Sequence, residues 1–144
     1  MRKYLLPISI VAAFWSQGAF ADLAAGTPHF SCTLPTQNTN GTTIPATGST
    51  SLAAVKFYVD NTMVKHVIRP GLTAPATSTG TYTGTPTAAL VCDWQTVANE
   101  IAAGSHNAQV TAINVANQES TRSNTVPFVV PVPTPAVPSG LSVD

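Results

Sequence analysis

Charged side chains are scarce in this sequence. Only 8% of its 144 residues are Asp, Glu, Lys or Arg, in equal numbers of six acidic and six basic residues. No basic patch is present, which argues against nucleic acid or an anionic membrane surface as the partner. Solubility therefore depends on the abundant Thr, Ser and Asn side chains, a composition shared by many exported β-proteins.

Catalytic signatures are also missing. The sequence has no GxSxG motif, no phosphate-binding loop and no dinucleotide-binding fingerprint. Its three histidines lie in different predicted segments, without the spacing of a metal site. Asp60 and Glu119 lie in predicted turns, and a module of this size has no deep cleft to hold a glycosidase pair. We therefore expect no enzyme activity, no metal site and no cofactor.

The N-terminus has the features of a secretory signal. Two basic residues precede an apolar run, Leu5–Trp15, which is too short to span a membrane as a stable helix. Ala19-Phe20-Ala21 then forms a small-x-small cleavage site, typical of a Sec-type signal peptide. An N-terminal membrane anchor is the alternative. We expect residues 1–21 to be removed and the mature protein to be periplasmic, cell-surface or extracellular, with no stable membrane span after cleavage.

Two alternating segments near the C-terminus predict a β-hairpin. In Gly104–Ala112, apolar and polar side chains take opposite faces, and the phase slips after Ala112. In Val126–Val132 one face carries Val126, Phe128, Val130 and Val132, and Pro127 and Pro131 lie on the other. Because proline cannot donate to a β-ladder, the second segment should be an edge strand.

Other alternating segments complete an all-β prediction. They are Phe30–Leu34, Ala53–Asp60, Met63–Arg69 and Ala88–Trp94, with Val64, His66 and Ile68 expected on one face. Residues 97–103 have room for one short helical turn. About seven short strands separated by turn signals predict an antiparallel two-sheet sandwich. We assign this domain to residues 22–132.

Four pieces of the chain resemble, in order, the bacterial fibronectin type III module, an immunoglobulin-like β-sandwich. Phe30–Thr36 is similar to its second strand, Pro35–Ile44 to the loop that follows, and Val55–Asp60 (VKFYVD) to its third strand. Gly104–Asn124 resembles the sixth strand and the turn after it. The resemblance covers most of Phe30–Val132 and implies the fold of that family, which serves many different functions.

Two positions depart from the family pattern. His106 stands where the sixth strand usually opens with a tyrosine that pins the preceding loop, so we expect its imidazole to donate to a backbone carbonyl. Cys32 stands where a tryptophan is usual. In this family the second and fifth strands are neighbours, and an oxidising compartment favours cysteine pairing. We therefore expect a Cys32–Cys92 disulfide, with two buried free thiols as the alternative.

Four residues are candidates for ligand contact. Asn38 and Asn40 lie in a long polar loop, Tyr58 should face outward from its strand, and Tyr82 lies in a second loop-like region. Exposed aromatic rings of this kind can form a platform on which sugars stack. The sequence does not identify the partner, so both a protein and a glycan stay open.

The C-terminal residues 133–144 form a Pro-rich tail or the start of a linker, for which an extended polyproline conformation is expected. Pro138–Val143 (PSGLSV) resembles the first strand of another type III module. Three explanations compete: a piece of a tandem array, a disordered linker end, or self-association in which Leu141 and Val143 pair as a strand on an open sheet edge.

These observations predict an exported, non-catalytic β-sandwich module for binding, adhesion or spacing at the cell surface or in the periplasm. The alternatives are a structural subunit that assembles by strand exchange through its tail, and a carbohydrate-binding accessory module.

Overall fold

The structure, a computed structural model, describes residues 27–132. The predicted signal peptide and the Pro-rich tail lie outside the described residues. Within residues 27–132 the fold is all-β, as the sequence predicts. No helix in that part of the chain is long and apolar enough to cross a membrane. The strands are β1 (His29–Ser31), β2 (Leu52–Val59), β3 (Thr62–Ile68), β4 (Leu72–Thr73), β5 (Thr83–Gly84), β6 (Asp93–Gln95), β7 (Gly104–Asn114) and β8 (Val126–Val130).

A four-stranded antiparallel sheet forms the centre of the fold, with strand order β3-β2-β7-β8. The central strand β2 alternates in sequence and is rich in β-branched and aromatic residues, which favour a pleated, half-buried strand. Val55, Phe57 and Val59 are buried on what we call the inner face of this sheet. Lys56 and Tyr58 lie on the opposite, outer face.

The predicted C-terminal hairpin is confirmed. β7 and β8 pair antiparallel, from Gly104 opposite Val130 to Ala108 opposite Val126. β8 has no second neighbour in the described sheet, so it is the edge strand that its prolines predict. The connection between the two strands is long, and it folds back onto β7.

β1 and β6 form a two-stranded antiparallel sheet that packs on the inner face. The ring of Phe30 stacks on Trp94, with centroids 5.0 Å apart, and meets Phe128 of β8 edge-on at 5.2 Å. The predicted Cys32–Cys92 disulfide lies in the same core. Two antiparallel sheets that pack around this core are consistent with a β-sandwich, and the disulfide fits an oxidising compartment. The buried members of this main core are Val55, Phe57, Val59, Leu90, Cys92, Trp94, Ile101 and Val130.

β3 departs from its predicted alternation. The register between β2 and β3 shifts opposite Phe57 and Tyr58. Val64 consequently packs against the main core, whereas Ile68 belongs to a second, smaller core and His66 bonds to a residue of that core. An extra residue in one strand reverses which side chains face inward beyond it, so the expectation of a single shared face was wrong.

The smaller core lies at one end of the outer face. Ile113 is fully buried there against Ala54 and Tyr82, which explains the change of phase after Ala112. Tyr82 lies in a loop-like region, as expected, but its side chain is only 4% exposed and therefore does not offer a ligand-contact surface. Its backbone N–H donates to the carbonyl of Val115 at 2.9 Å, which fixes this loop to the body of the domain.

The β4–β5 pair and the segment of residues 97–103 connect the larger strands. β4 and β5 approach so closely that a Cβ on Gly84 would lie 2.3 Å from the carbonyl oxygen of Gly71, so a side chain does not fit there. Residues 97–103, for which the sequence allowed a helical turn, contain only turns and bends.

Candidate functional site

The connection from β7 to β8 (residues 115–125) lies along the edge of β7. Backbone N–H groups of Ser120 and Ser123 donate to the carbonyls of Ala112 and Val110, each at 2.9 Å. In the other direction, the Ser120 hydroxyl accepts the Ala112 N–H at 3.0 Å and the Ser123 hydroxyl accepts the Val110 N–H at 3.1 Å. Two serine hydroxyls thus replace the carbonyls that a regular strand would supply.

This arrangement places Glu119 over the outer face of the sheet. Its carboxylate accepts hydrogen bonds from the Tyr58 and Thr111 hydroxyls, both at 2.6 Å, and from the Lys56 ammonium at 2.8 Å. The side chains of Lys56 and Glu119 are 24% and 32% exposed. We call these four residues the Glu119 cluster.

Electrostatics keep two members of the Glu119 cluster, Glu119 and Lys56, in their charged forms. Burial by itself raises the pKa of Glu119, but the hydrogen bonds from Lys56, Thr111 and Tyr58 outweigh it, so the pKa is lowered overall. Burial also tends to lower the pKa of Lys56, and the bond to Glu119 reverses this, so that the pKa is raised. A carboxylate whose oxygens already accept three strong hydrogen bonds is a structural anchor and a poor proton acceptor.

The two candidate tyrosines are both engaged by neighbours. The Arg122 guanidinium lies over the ring of Tyr58, 4.2 Å from its centroid, and is held there by a hydrogen bond of 2.6 Å to Asn61. A sugar ring stacking on that face would have to displace the guanidinium. The hydroxyl of Tyr82 lies 2.8 Å from Nε2 of His66, whose pKa is lowered by burial.

Asn38 and Asn40 organise a compact loop. The Asn40 side-chain oxygen accepts from the backbone N–H of Thr42 at 3.1 Å and from its hydroxyl at 2.6 Å. The Asn38 amide donates to the same hydroxyl at 3.0 Å, and Gly41 takes a positive φ of 80° in the turn. The loop is therefore held in shape by its own side chains.

A groove of about 520 Å³ separates this loop from the edge of β7. Asn38 and Asn40 line one wall, and Asn114 and Gln118, which bond to each other at 2.8 Å, line the other. Glu119 is common to the groove and to the Glu119 cluster, although its carboxylate points to the outer face. The remaining lining residues are Gln37, Thr39, Thr42, Thr43, Ile44, Pro45, Thr50, Leu52, Ala112 and Ser120.

His106 lies at the end of the sheet away from the groove, and its imidazole bonds to a backbone carbonyl, as the sequence predicts. Its Nε2 donates to the carbonyl of Ala102 at 2.8 Å, and its Nδ1 lies 2.7 Å from the carboxylate of Asp60. Asp60 also accepts the backbone N–H of Asn107 at 2.9 Å. Because both ring nitrogens face acceptors, the doubly protonated imidazolium satisfies this geometry best.

The pKa shifts agree with that assignment. The hydrogen bond to Asp60, and then that to Ala102, raises the pKa of His106. The hydrogen bond from His106, and then that from the Asn107 N–H, lowers the pKa of Asp60. The stabilisation by His106 is thus complete below its ordinary pKa of about 6.5 and is lost as the pH rises through the raised value. That of Asp60 is present above about pH 4 and is lost on acidification.

The structure therefore separates the four predicted contact residues. Asn38 and Asn40 line the groove, Tyr58 lies on the outer face, and Tyr82 is buried. Among residues 27–132, no three His, Cys, Asp or Glu side chains are grouped so that they could hold a metal ion. Glu119 was missed as a site residue, because only its place in the folded chain brings it to β2. The alternation of β2 already assigned Lys56 and Tyr58 to one polar face.

The chain was compared with family models, with curated proteins and with solved structures, and none of the three comparisons finds a match.

Proposed function

We propose that this chain is an exported, non-catalytic β-sandwich module of the fibronectin type III type that binds a partner at the cell surface or in the periplasm. The groove between the Asn38–Asn40 loop and the edge of β7 carries this proposal. Both of its walls are held in place by hydrogen bonds of their own, so binding there would not require the loop to be ordered first.

The strand pairing supports the family assignment. In immunoglobulin-like sandwiches, one sheet contains the third, sixth and seventh strands side by side, and the other pairs the second with the fifth. The neighbours β2-β7-β8 and the pair β1–β6 follow that plan. The bond from His106 to the carbonyl of Ala102, four residues upstream, takes the place of the family's tyrosine corner.

The lining of the groove favours an uncharged polar ligand. Its rim consists of amide and hydroxyl side chains, and Leu52, Ala112 and Ile44 contribute apolar surface. Glu119 is the charged residue among the lining residues, and Lys56 already neutralises it. The hydroxyls of a glycan or the amides of an extended peptide match such a surface. Of these two we favour the peptide, because none of the lining residues carries an aromatic ring on which a sugar could stack.

Nuclear magnetic resonance titrations test this proposal. The ¹⁵N-labelled protein is titrated with capped Thr- and Ser-rich peptides, and separately with cellopentaose and chitopentaose. Amide shifts confined to the groove, and lost in a Gln37→Ala/Asn38→Ala variant, are expected for the true ligand class. Asn107→Ala, which removes an exposed amide at the other end of β7, is the matched control. Shifts that spread over other surfaces, or that persist in the double variant, would refute the assignment of the groove.

A further inference from the structure

The sheet edges in residues 27–132 differ in how they are protected against pairing with another strand. β8 carries Pro127 and, just beyond it, Pro131, while the edge strand β3 exposes Lys65. On β6, the carboxylate of Asp93 is exposed and bonds to Nε2 of His29, across the ladder in β1. Prolines and charged side chains are the usual devices that keep edge strands from pairing. β1 (His29–Ser31) contains neither a proline nor a lysine or carboxylate of its own.

The backbone of β1 directs part of its hydrogen-bonding capacity away from β6. Cys32 donates to the carbonyl of Cys92 at 3.1 Å, and Pro28 accepts from Thr96 at 3.0 Å, so the even-numbered residues face β6. In an antiparallel pair the residues between them point their N–H and C=O groups the other way. His29, Ser31 and Thr33 are exposed, and no strand of the described residues pairs with them on that side.

The core next to this edge is also incompletely covered. Phe30, Cys32 and Leu34, the inward-facing side chains of this segment, are only half-buried, and so is Phe128 of β8. Deeper members of the same core, such as Trp94, are 4% exposed. A further strand beside β1 with apolar residues at alternate positions would pair the free backbone groups and cover these side chains.

The sequence of the tail contains a segment that fits. In Gly140-Leu141-Ser142-Val143 two apolar residues alternate with small ones, and Leu141–Val143 has the same length as β1, three residues. The segment follows a run dense in proline, for which an extended, semi-rigid spacer of about 3 Å per residue is expected. Such a spacer favours the edge of another molecule over a turn back to the chain's own β1.

We propose that Leu141–Val143 of one copy pairs with the free edge of β1 in a second copy. The contact is head-to-tail, because the donor strand and the acceptor edge are different surfaces, and repeated contacts of this kind build an open-ended chain. The interface is small, so its assembly is weak and depends on concentration. This inference does not rest on the groove, and the two tests are independent.

Solution mass tests the proposal on the chain purified after export, over about 10 μM to about 1 mM. The wild type should form a ladder of multiples. Leu141→Asp should stay monomeric because the charge would enter the core, whereas Ser142→Asp puts the same charge on the outer side of the strand and should still assemble. Ser31→Pro, which removes an outward N–H and leaves the β1–β6 ladder intact, should also be monomeric. If the Ser31→Pro variant does not fold, Thr33→Pro serves the same purpose.

Mixing the two blocked variants gives the sharpest result. Leu141→Asp keeps a free edge and Ser31→Pro keeps a free tail, so an equimolar mixture should form dimers and nothing larger. A wild type that remains monomeric throughout would overturn the proposal. A mixture without dimers, or equal behaviour of Leu141→Asp and Ser142→Asp, would do the same. If the wild type is monomeric and the Leu141→Asp substitution lowers its melting temperature, the tail instead contacts its own molecule.

Discussion

Reduction of the Cys32–Cys92 disulfide should cost this domain a large part of its stability. The bond joins residues that are 60 positions apart and lies in the main core. In the chain-entropy account, a cross-link that closes a loop of this size lowers the entropy of the unfolded chain enough to stabilise the fold by about 4 kcal/mol. Small domains have a total stability of about 5 to 15 kcal/mol, so the reduced protein should be marginal.

Urea unfolding with and without reductant measures this effect. The reduced wild type keeps both sulfur atoms in the core, so the difference between oxidised and reduced protein reports the cross-link and not a change in packing. In a separate thermal unfolding experiment, the melting temperature of the reduced protein should lie about 15 to 20 °C below that of the oxidised protein. The dependence of unfolding free energy on urea should become steeper, because the reduced unfolded chain exposes more surface.

A Cys32→Ala/Cys92→Ala variant adds the packing contribution. It should be less stable than the reduced wild type by about 1 to 2 kcal/mol, because Cys92 is 5% exposed and its sulfur fills space in the core. If oxidised and reduced proteins share one urea midpoint and one slope, the reasoning from loop closure is refuted for this domain.

Three smaller perturbations test the polar contacts. Ser123→Ala should destabilise the domain by about 1 kcal/mol in urea unfolding, since the Val110 N–H loses its acceptor, whereas exposed Ser105→Ala should have almost no effect. Glu119→Gln should cost about 1 to 2 kcal/mol in the same assay by removing the charged acceptor of three donors; an unchanged midpoint would contradict the anchoring role. For His106→Phe, the stability deficit relative to wild type should shrink as the pH rises through the raised histidine pKa; a deficit constant from pH 5 to 9 would exclude the imidazolium.

Local patterns in the sequence determined the strands and one long-range link. The alternation of β2 predicted which of its side chains are buried, and Pro127 and Pro131 predicted that β8 lies at an edge. Both follow from rules that act within one strand, the two-residue period and the missing N–H of proline. The Cys32–Cys92 bond was predictable because only two cysteines are present and an oxidising compartment favours their pairing.

Part of the candidate site could also be predicted from the sequence. Asn38 and Asn40 were assigned to a long polar loop, and the structure places them on the wall of the groove. The opposite wall was not predicted, because the sequence indicated only a polar turn for Ala116–Arg122. Their placement along β7 depends on two serine hydroxyls that accept β-ladder hydrogen bonds, and sequence periodicity carries no sign of such a contact.

Tertiary structure alone decided the remaining features. Val64 turned inward because of a register shift that only the pairing of β2 with β3 creates, and Tyr82 was buried by packing on Ile113. Glu119 reached Lys56 across 63 positions of sequence. Local propensity determines the conformation and the faces of a strand. The residues that meet across strands are determined by register and by loop paths, which depend on the free energy of the whole packed domain.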